Sequence, residues 1–249
     1  MTDSGSPAPQ FDREGSSAYW DQWNRDWRFR DRLDSFMQRQ FEITVAVARA
    51  AKLEKARILG IGCGTGWLEN GLQAFGHVTG TDLSAEAIAE GQKRYPGVDL
   101  RCCDFLSEDL PGAFDMVVSS DSLVPMADHA MCVRRVAQLL KPGGTFLLMT
   151  QNPRIWKRRS KIRNVSDSVP HAHPSTWPTL TRIKELFTAD FTIDHVETVV
   201  PGGDEGLLWW VENEKVQSLM GSLVTEYRWN RLLEKLSLGR ELIIVARRR

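Results

Sequence analysis

Short apolar runs alternate with amphipathic stretches along most of the chain. "ARILGI", Ala56 to Ile61, is an apolar run of strand length, and Trp67 to Ala74 behind it has helical spacing. The alternation then repeats. "HVTGTDL" predicts a second strand, "AEAIAEGQKRY" a helix capped by Ser84, "VDLRCC" a third strand and "FDMVVSS" a fourth. A loop, a helix over Asp128 to Leu140 and a "KPGG" turn lead to a fifth, "TFLLMTQ". Strands separated by helical patterns predict a parallel sheet with helices on both faces. The last third departs from this pattern. "HPSTWPTLTRIKELFTA" reads as a loop and helix, "FTIDHVETVV" as a strand, and a helical stretch over 206–235 precedes the final strand "RELIIVARR". That connection leaves the last two strands free to pair antiparallel.

Residues 1–18 are rich in Ser, Pro and Gly and nearly lack aliphatic side chains, so they read as a disordered leader. They have neither the basic region nor the apolar core of a secretory signal. Residues 19–249 read as one domain without internal repeats, in which 19–55 form a helical lid. Trp20, Trp23 and Trp27 share one helical face there, either covering a site or packing the helix onto the body.

Lys plus Arg equals Asp plus Glu, 32 each, so overall charge does not direct the chain to nucleic acid or to anionic membranes. A hydrophobic content of 42% fills a sizeable core, yet no run of about 18 apolar residues could span a bilayer. The four cysteines, Cys63, Cys102, Cys103 and Cys132, form no CxxC pair. They read as small buried hydrophobes in a reducing, cytoplasmic setting, and no metal site is expected. "RIWKRRSKIR", from Arg154, is locally basic and follows the fifth strand. It is a solvated face, or a rim group for an anionic part of a substrate.

Chemistry concentrates in "ILGIGCGTG", with Gly60, Gly62, Gly64 and Gly66 at alternate positions between strand and helix. Such a turn lets a ligand lie against bare backbone at a helix start. No Lys or Arg occurs from Ile58 to Leu72, which removes a P-loop. The dinucleotide spacing G-x-G-x-x-G requires glycine where Trp67 or Thr65 stands, which weakens a nucleotide-dependent oxidoreductase without removing it. A ligand with a nucleoside and a small carboxylate, such as S-adenosylmethionine, fits the turn. Asp82 ends the second strand, placed to accept from ribose hydroxyls, and Asp104 ends the third, placed to accept from an adenine amino group.

In the order "ILGIGCGTG", "GTDLS", "CCDFL", "FDMVVSSDSL", "LLKPGGTFLLMT" the chain resembles the class I S-adenosylmethionine-dependent methyltransferases, closely over Arg57 to Gln151 and loosely in the C-terminal strand pair. The resemblance implies a Rossmann-like α/β fold with seven strands, mostly parallel with an antiparallel C-terminal strand. It implies that Gly62, Cys63 and Gly64 hold the methionine half, Asp82 and Leu83 the ribose, and Asp104 and Phe105 the adenine. By the same resemblance Ser119 is expected beside the methyl, and Tyr19 and Trp20 are the candidates to cover the cofactor. One departure stands out: the family usually carries Asp or Glu where this chain has Gly60, and that acid helps fix the methionine end. Its loss leaves open a non-catalytic scaffold or regulator. The expected acceptor is a small molecule attacking through O, N or C. His171, His173, Asp121 and His129 are candidates to orient it or take its proton. The segment 206–235 is expected to cover the acceptor or to form a homodimer face.

Overall fold

The computed structural model describes residues 13–27, 35–126, 128–157, 177–202, 209–211 and 213–249. The strands are β1 (Ala56–Ile61), β2 (Gly76–Asp82), β3 (Asp99–Cys102), β4 (Phe114–Ser120), β5 (Leu140–Gln151), β6 (Phe191–Pro201) and β7 (Gly239–Arg248). They form one sheet in the order β3-β2-β1-β4-β5-β7-β6. β1 to β5 pair in parallel, and β7 lies antiparallel to both β5 and β6. The mostly parallel sheet with an antiparallel terminal strand is the one the pattern predicts.

The inner strands β1, β4, β5 and β7 carry continuous apolar runs because both faces of the sheet are covered there. Leu59, Val117, Phe146, Leu148 and Ile244 point to one side and pack with Val133 and Val136 of α5 (His129–Leu139) and Phe187 of α7 (Leu180–Phe187). Ile58, Met116, Val118, Leu147 and Met149 point to the other. There they meet Ile43 of α2 (Ser35–Ala50), Leu68 of α3 (Trp67–Leu72) and Ile88 of α4 (Ala85–Arg94). No helix among the described residues is long and apolar enough to cross a membrane.

Three details differ from expectation. Helix α1 (Arg13–Trp27) begins inside the stretch read as a disordered leader. "KPGG" is not a turn ahead of β5 but part of it, taken up as a register shift against β4 with Gly143 at φ 76°. Cys102 is exposed, since the edge strand β3 presents it to solvent, whereas Cys63, Cys103 and Cys132 are buried as expected. Among the described residues, the 206–235 insertion contains two helices, α8 (Glu214–Leu223) and α9 (Glu226–Lys235). It is seated by a small cluster in which Val211, Leu233 and Leu238 meet Ile155 of the short α6 (Pro153–Trp156).

Phe146 is the centre of the larger core. It is fully buried, with the rings of Phe187 and Phe191 at 5.5 and 5.6 Å. Phe146→Ala should cost about 3–5 kcal/mol by removing both contacts and leaving a hole. Urea unfolding should show this as a lower midpoint at unchanged slope. A loss below about 1 kcal/mol would refute this picture of the core.

Candidate active site

From β1 the chain moves outward to β2 and β3, then returns to β4 on the other side of β1. This reversal opens a crevice at the carboxyl ends of β1 and β4, where open α/β sheets bind ligands. The glycine turn, the end of β2 and the loop after β4 all border it.

Gly62 and Gly64 are glycines for different reasons. Both have left-handed backbones, at φ 65° and 55°. A Cβ on Gly62 would come within 2.4 Å of Ser122 Cβ, so the fold alone forbids a side chain there. At Gly64 a Cβ would meet only Asn24 Oδ1, at 3.3 Å, so this backbone faces the space under α1. Between them the Cys63 thiol is buried and held well above its usual range by desolvation, then by the charges of Glu69 and Asp82. It is a filler, with its Sγ 2.9 Å from where a Gly80 side chain would begin.

Asp82 receives the Gly64 N–H on Oδ2 (2.7 Å) and the Ser84 N–H on Oδ1 (2.9 Å). Burial raises its carboxyl, opposed by the amides of Ser84, Gly64 and Leu83. Asp104 is held by the Leu106 N–H (3.0 Å) and the Ser107 hydroxyl (3.2 Å). The ring of its neighbour Phe105 is buried in the core beneath. Ser119 is buried and shares a hydrogen bond with Ser122 (2.7 Å), whose hydroxyl is also bonded to Ile61 O (2.9 Å).

Helix α1 covers this edge. Ser17 Oγ donates to Leu83 O (2.9 Å), and Asp21 Oδ1 accepts from Ser84 Oγ (2.6 Å) and the Glu86 N–H (3.2 Å). Arg25 pairs with Glu86. Tyr19 and Trp20 are half-buried and in edge contact at 5.0 Å, with the Tyr19 phenol raised by burial. The side chains of Trp23 and Trp27, and all of His171 and His173, lie outside the described residues.

Beyond β4 and β5 stands a polar cluster that the sequence did not reveal. Asp121, at a left-handed φ of 57°, accepts from Gln40 Nε2 (2.9 Å) and Gln151 Nε2 (2.7 Å). Gln40 Nε2 also reaches Glu241 Oε1 at 2.9 Å. Because Nε2 of Gln40 must face two carboxylates, its Oε1 faces away, and it accepts no hydrogen bond among the described residues. The same holds for Gln151 Oε1. His129 is half-buried in the first turn of α5, behind the capping Asp128.

A family model described as "Methyltransferase domain" matches residues 33–196. The chain is 28% identical over 159 residues to an uncharacterized methyltransferase of Mycobacterium bovis, covering 58% of this chain and 78% of that one. It is 35% identical over 113 residues to the ubiquinone biosynthesis O-methyltransferase of Xanthomonas campestris, covering 43% and 47%. Magnesium protoporphyrin IX methyltransferase of Synechocystis, solved with S-adenosylhomocysteine, has the same fold. Its TM-score is 0.63 at 16% identity, over 96% of this chain and 100% of that one. The chain belongs to the methyltransferase domain family and is an S-adenosylmethionine-dependent methyltransferase of the class I fold.

The anchoring of α1 is testable by itself. Asp21→Ala removes two hydrogen bonds to a charged acceptor, each worth roughly 1.5–3 kcal/mol. Ser84 keeps its cap on the Ala87 N–H. Hydrogen exchange in α1 should quicken about tenfold or more while exchange in the sheet is unaltered. Unchanged exchange in α1 would refute the anchor.

Proposed function

We propose that the chain methylates a small molecule bearing hydroxyl or amine hydrogens, held beside Asp121. The observation that carries this reading is the polar cluster of Gln40, Asp121, Gln151 and Glu241. The Oε1 atoms of Gln40 and Gln151 are buried acceptors, and each such atom costs roughly 1–3 kcal/mol unless a donor reaches it. An acceptor molecule with O–H or N–H groups supplies those donors. The ubiquinone and protoporphyrin methyltransferases named above support a small molecule over a macromolecule.

The groups on the cofactor side fit S-adenosylmethionine. Gly64 leaves open backbone, and Asn24 Oδ1 above it is buried without a hydrogen-bond donor among the described residues. In this reading Asp82 accepts from the ribose hydroxyls beside Leu83. Asp104 takes the adenine amino group, with Phe105 supporting its loop from the core. Gly62, Cys63 and Gly64 line the methionine half, and Ser119 floors the crevice. The bound cofactor supplies a methyl on a sulfonium, activated for in-line displacement. The chain supplies alignment and exclusion of water, with Tyr19 and Trp20 of α1 closing one side. Asp121, fixed by two amides, orients the attacking group and accepts its proton, and His129 borders the same loop.

Binding of S-adenosylhomocysteine should depend on pH through Asp82. The ribose hydroxyls bond best to the ionised carboxylate, and burial raises the proton affinity of Asp82 in the free protein. Affinity should therefore fall as pH is lowered through this raised value, at higher pH than for an ordinary aspartate. Asp82→Ala should bind about tenfold or more weakly at neutral pH and lack that step. Calorimetry checks both, and wild-type affinity in a folded Asp82→Ala protein removes the ribose assignment.

The acceptor is testable with methyl-labelled S-adenosylmethionine and a cell extract separated by mass. Label should enter the low-mass fraction, and label confined to protein or RNA refutes the small-molecule reading. Asp121→Asn, which keeps shape and tolerates the left-handed backbone, should lower turnover about 10²-fold. S-adenosylhomocysteine should still bind it within about twofold.

A further inference from the structure

Gly60 lies on β1, paired with Gly80 of β2 and Val118 of β4, one strand position before the turn. Its missing side chain would not enter open space. An ideal Cβ there would lie 2.0 Å from Oε1, 2.7 Å from Cδ and 2.8 Å from Cγ of Glu69. The Glu69 carboxylate thus stands in the volume that a side chain at residue 60 would fill. It comes from the first turn of α3, on the far side of the glycine turn, and is only 3% exposed.

Burying a carboxylate is costly unless it is paired or hydrogen-bonded. A leucine or methionine at position 69 would fill a buried helix position facing the sheet without that cost. The charge is directed at the turn, where it is felt by the Cys63 thiol. Gly60 and Glu69 are therefore two halves of one arrangement: the strand gives up its side chain, and the helix fills the space with an acid.

We propose that Glu69 replaces, from α3, the acidic side chain that related methyltransferases carry at the position of Gly60, and that it binds the ammonium of the methionine half of the cofactor. The proposal rests on the cofactor reading above. It answers the departure at Gly60: the acid is displaced in sequence and retained in space.

Two ligands separate this role from a structural one. S-adenosylhomocysteine carries the ammonium, whereas 5′-methylthioadenosine keeps the nucleoside and thioether and lacks the amino-acid end. Calorimetry on the full chain should show Glu69→Gln binding S-adenosylhomocysteine about tenfold or more weakly, with 5′-methylthioadenosine within about twofold of wild type. The relocated acid gives a second test. Gly60→Asp alone should fail to bind, because its side chain meets the Glu69 carboxylate. Gly60→Asp combined with Glu69→Ala should restore the wild-type preference between the ligands to within about threefold.

Equal losses for both ligands in Glu69→Gln, or no loss, overturn the proposal. If Glu69→Gln does not fold, the double variant decides: a folded double variant without the preference overturns it. A wild-type chain that binds neither ligand refutes the cofactor reading itself. Retained 5′-methylthioadenosine binding with no Glu69 effect refutes only the assignment of Glu69.

Discussion

The carboxylate of Asp82 ties together the two loops on which the crevice depends. One oxygen holds the amide of Gly64 after β1, and the other holds the amide of Ser84 after β2. Neighbouring parallel strands are joined through long crossovers and have no turn to fix their exit loops relative to each other. Here one buried charged group does so with two short hydrogen bonds, which are stronger than neutral ones in such a setting. The left-handed glycine turn keeps its amide aimed at this carboxylate, and Ser84 is released to cap α4 with its side chain.

The N-terminal helices are fastened to opposite ends of the crevice. α1 is held at the loop after β2 through Ser17 and Asp21. α2 is held at the ends of β4 and β7 through Gln40. The first contacts are partly exposed, whereas the Gln40–Glu241 bond is fully buried. A buried polar network is hard to open without leaving several groups unsatisfied. α2 is accordingly part of the frame, and α1 is the element that can detach at lower cost.

The fold was legible in the sequence because its period is local. Ile58 and Leu59 face opposite cores, so β1 had to read as an unbroken apolar run, and the Ser84 cap marked the start of α4 within a residue. The glycine turn and Asp82 were legible for the same reason, since their spacing lies inside one βαβ unit. The polar cluster around Gln40 was not. Gln40 meets partners 81 and 201 residues away, and an isolated glutamine on an amphipathic helix carries no local signal. Gly62 shows the converse: its glycine is readable as a ligand contact, yet packing against Ser122 already requires it. Glu69 had the ordinary appearance of an acid in the first turn of a helix, and only its packing over Gly60, where a side chain would otherwise stand, singles it out.

The packing of residue 69 over residue 60 also constrains how this chain can change over time. A side chain at one position and the present acid at the other cannot coexist. Adding the strand acid first produces a collision, and shortening the helix acid first leaves a buried void. Both single steps are uphill, so the pair is locked against drift, and a lineage that acquired this arrangement would hold it through packing alone. Position 60, inspected by itself, would mark such a lineage as having lost a motif residue, although the pair as a whole still contains an acid.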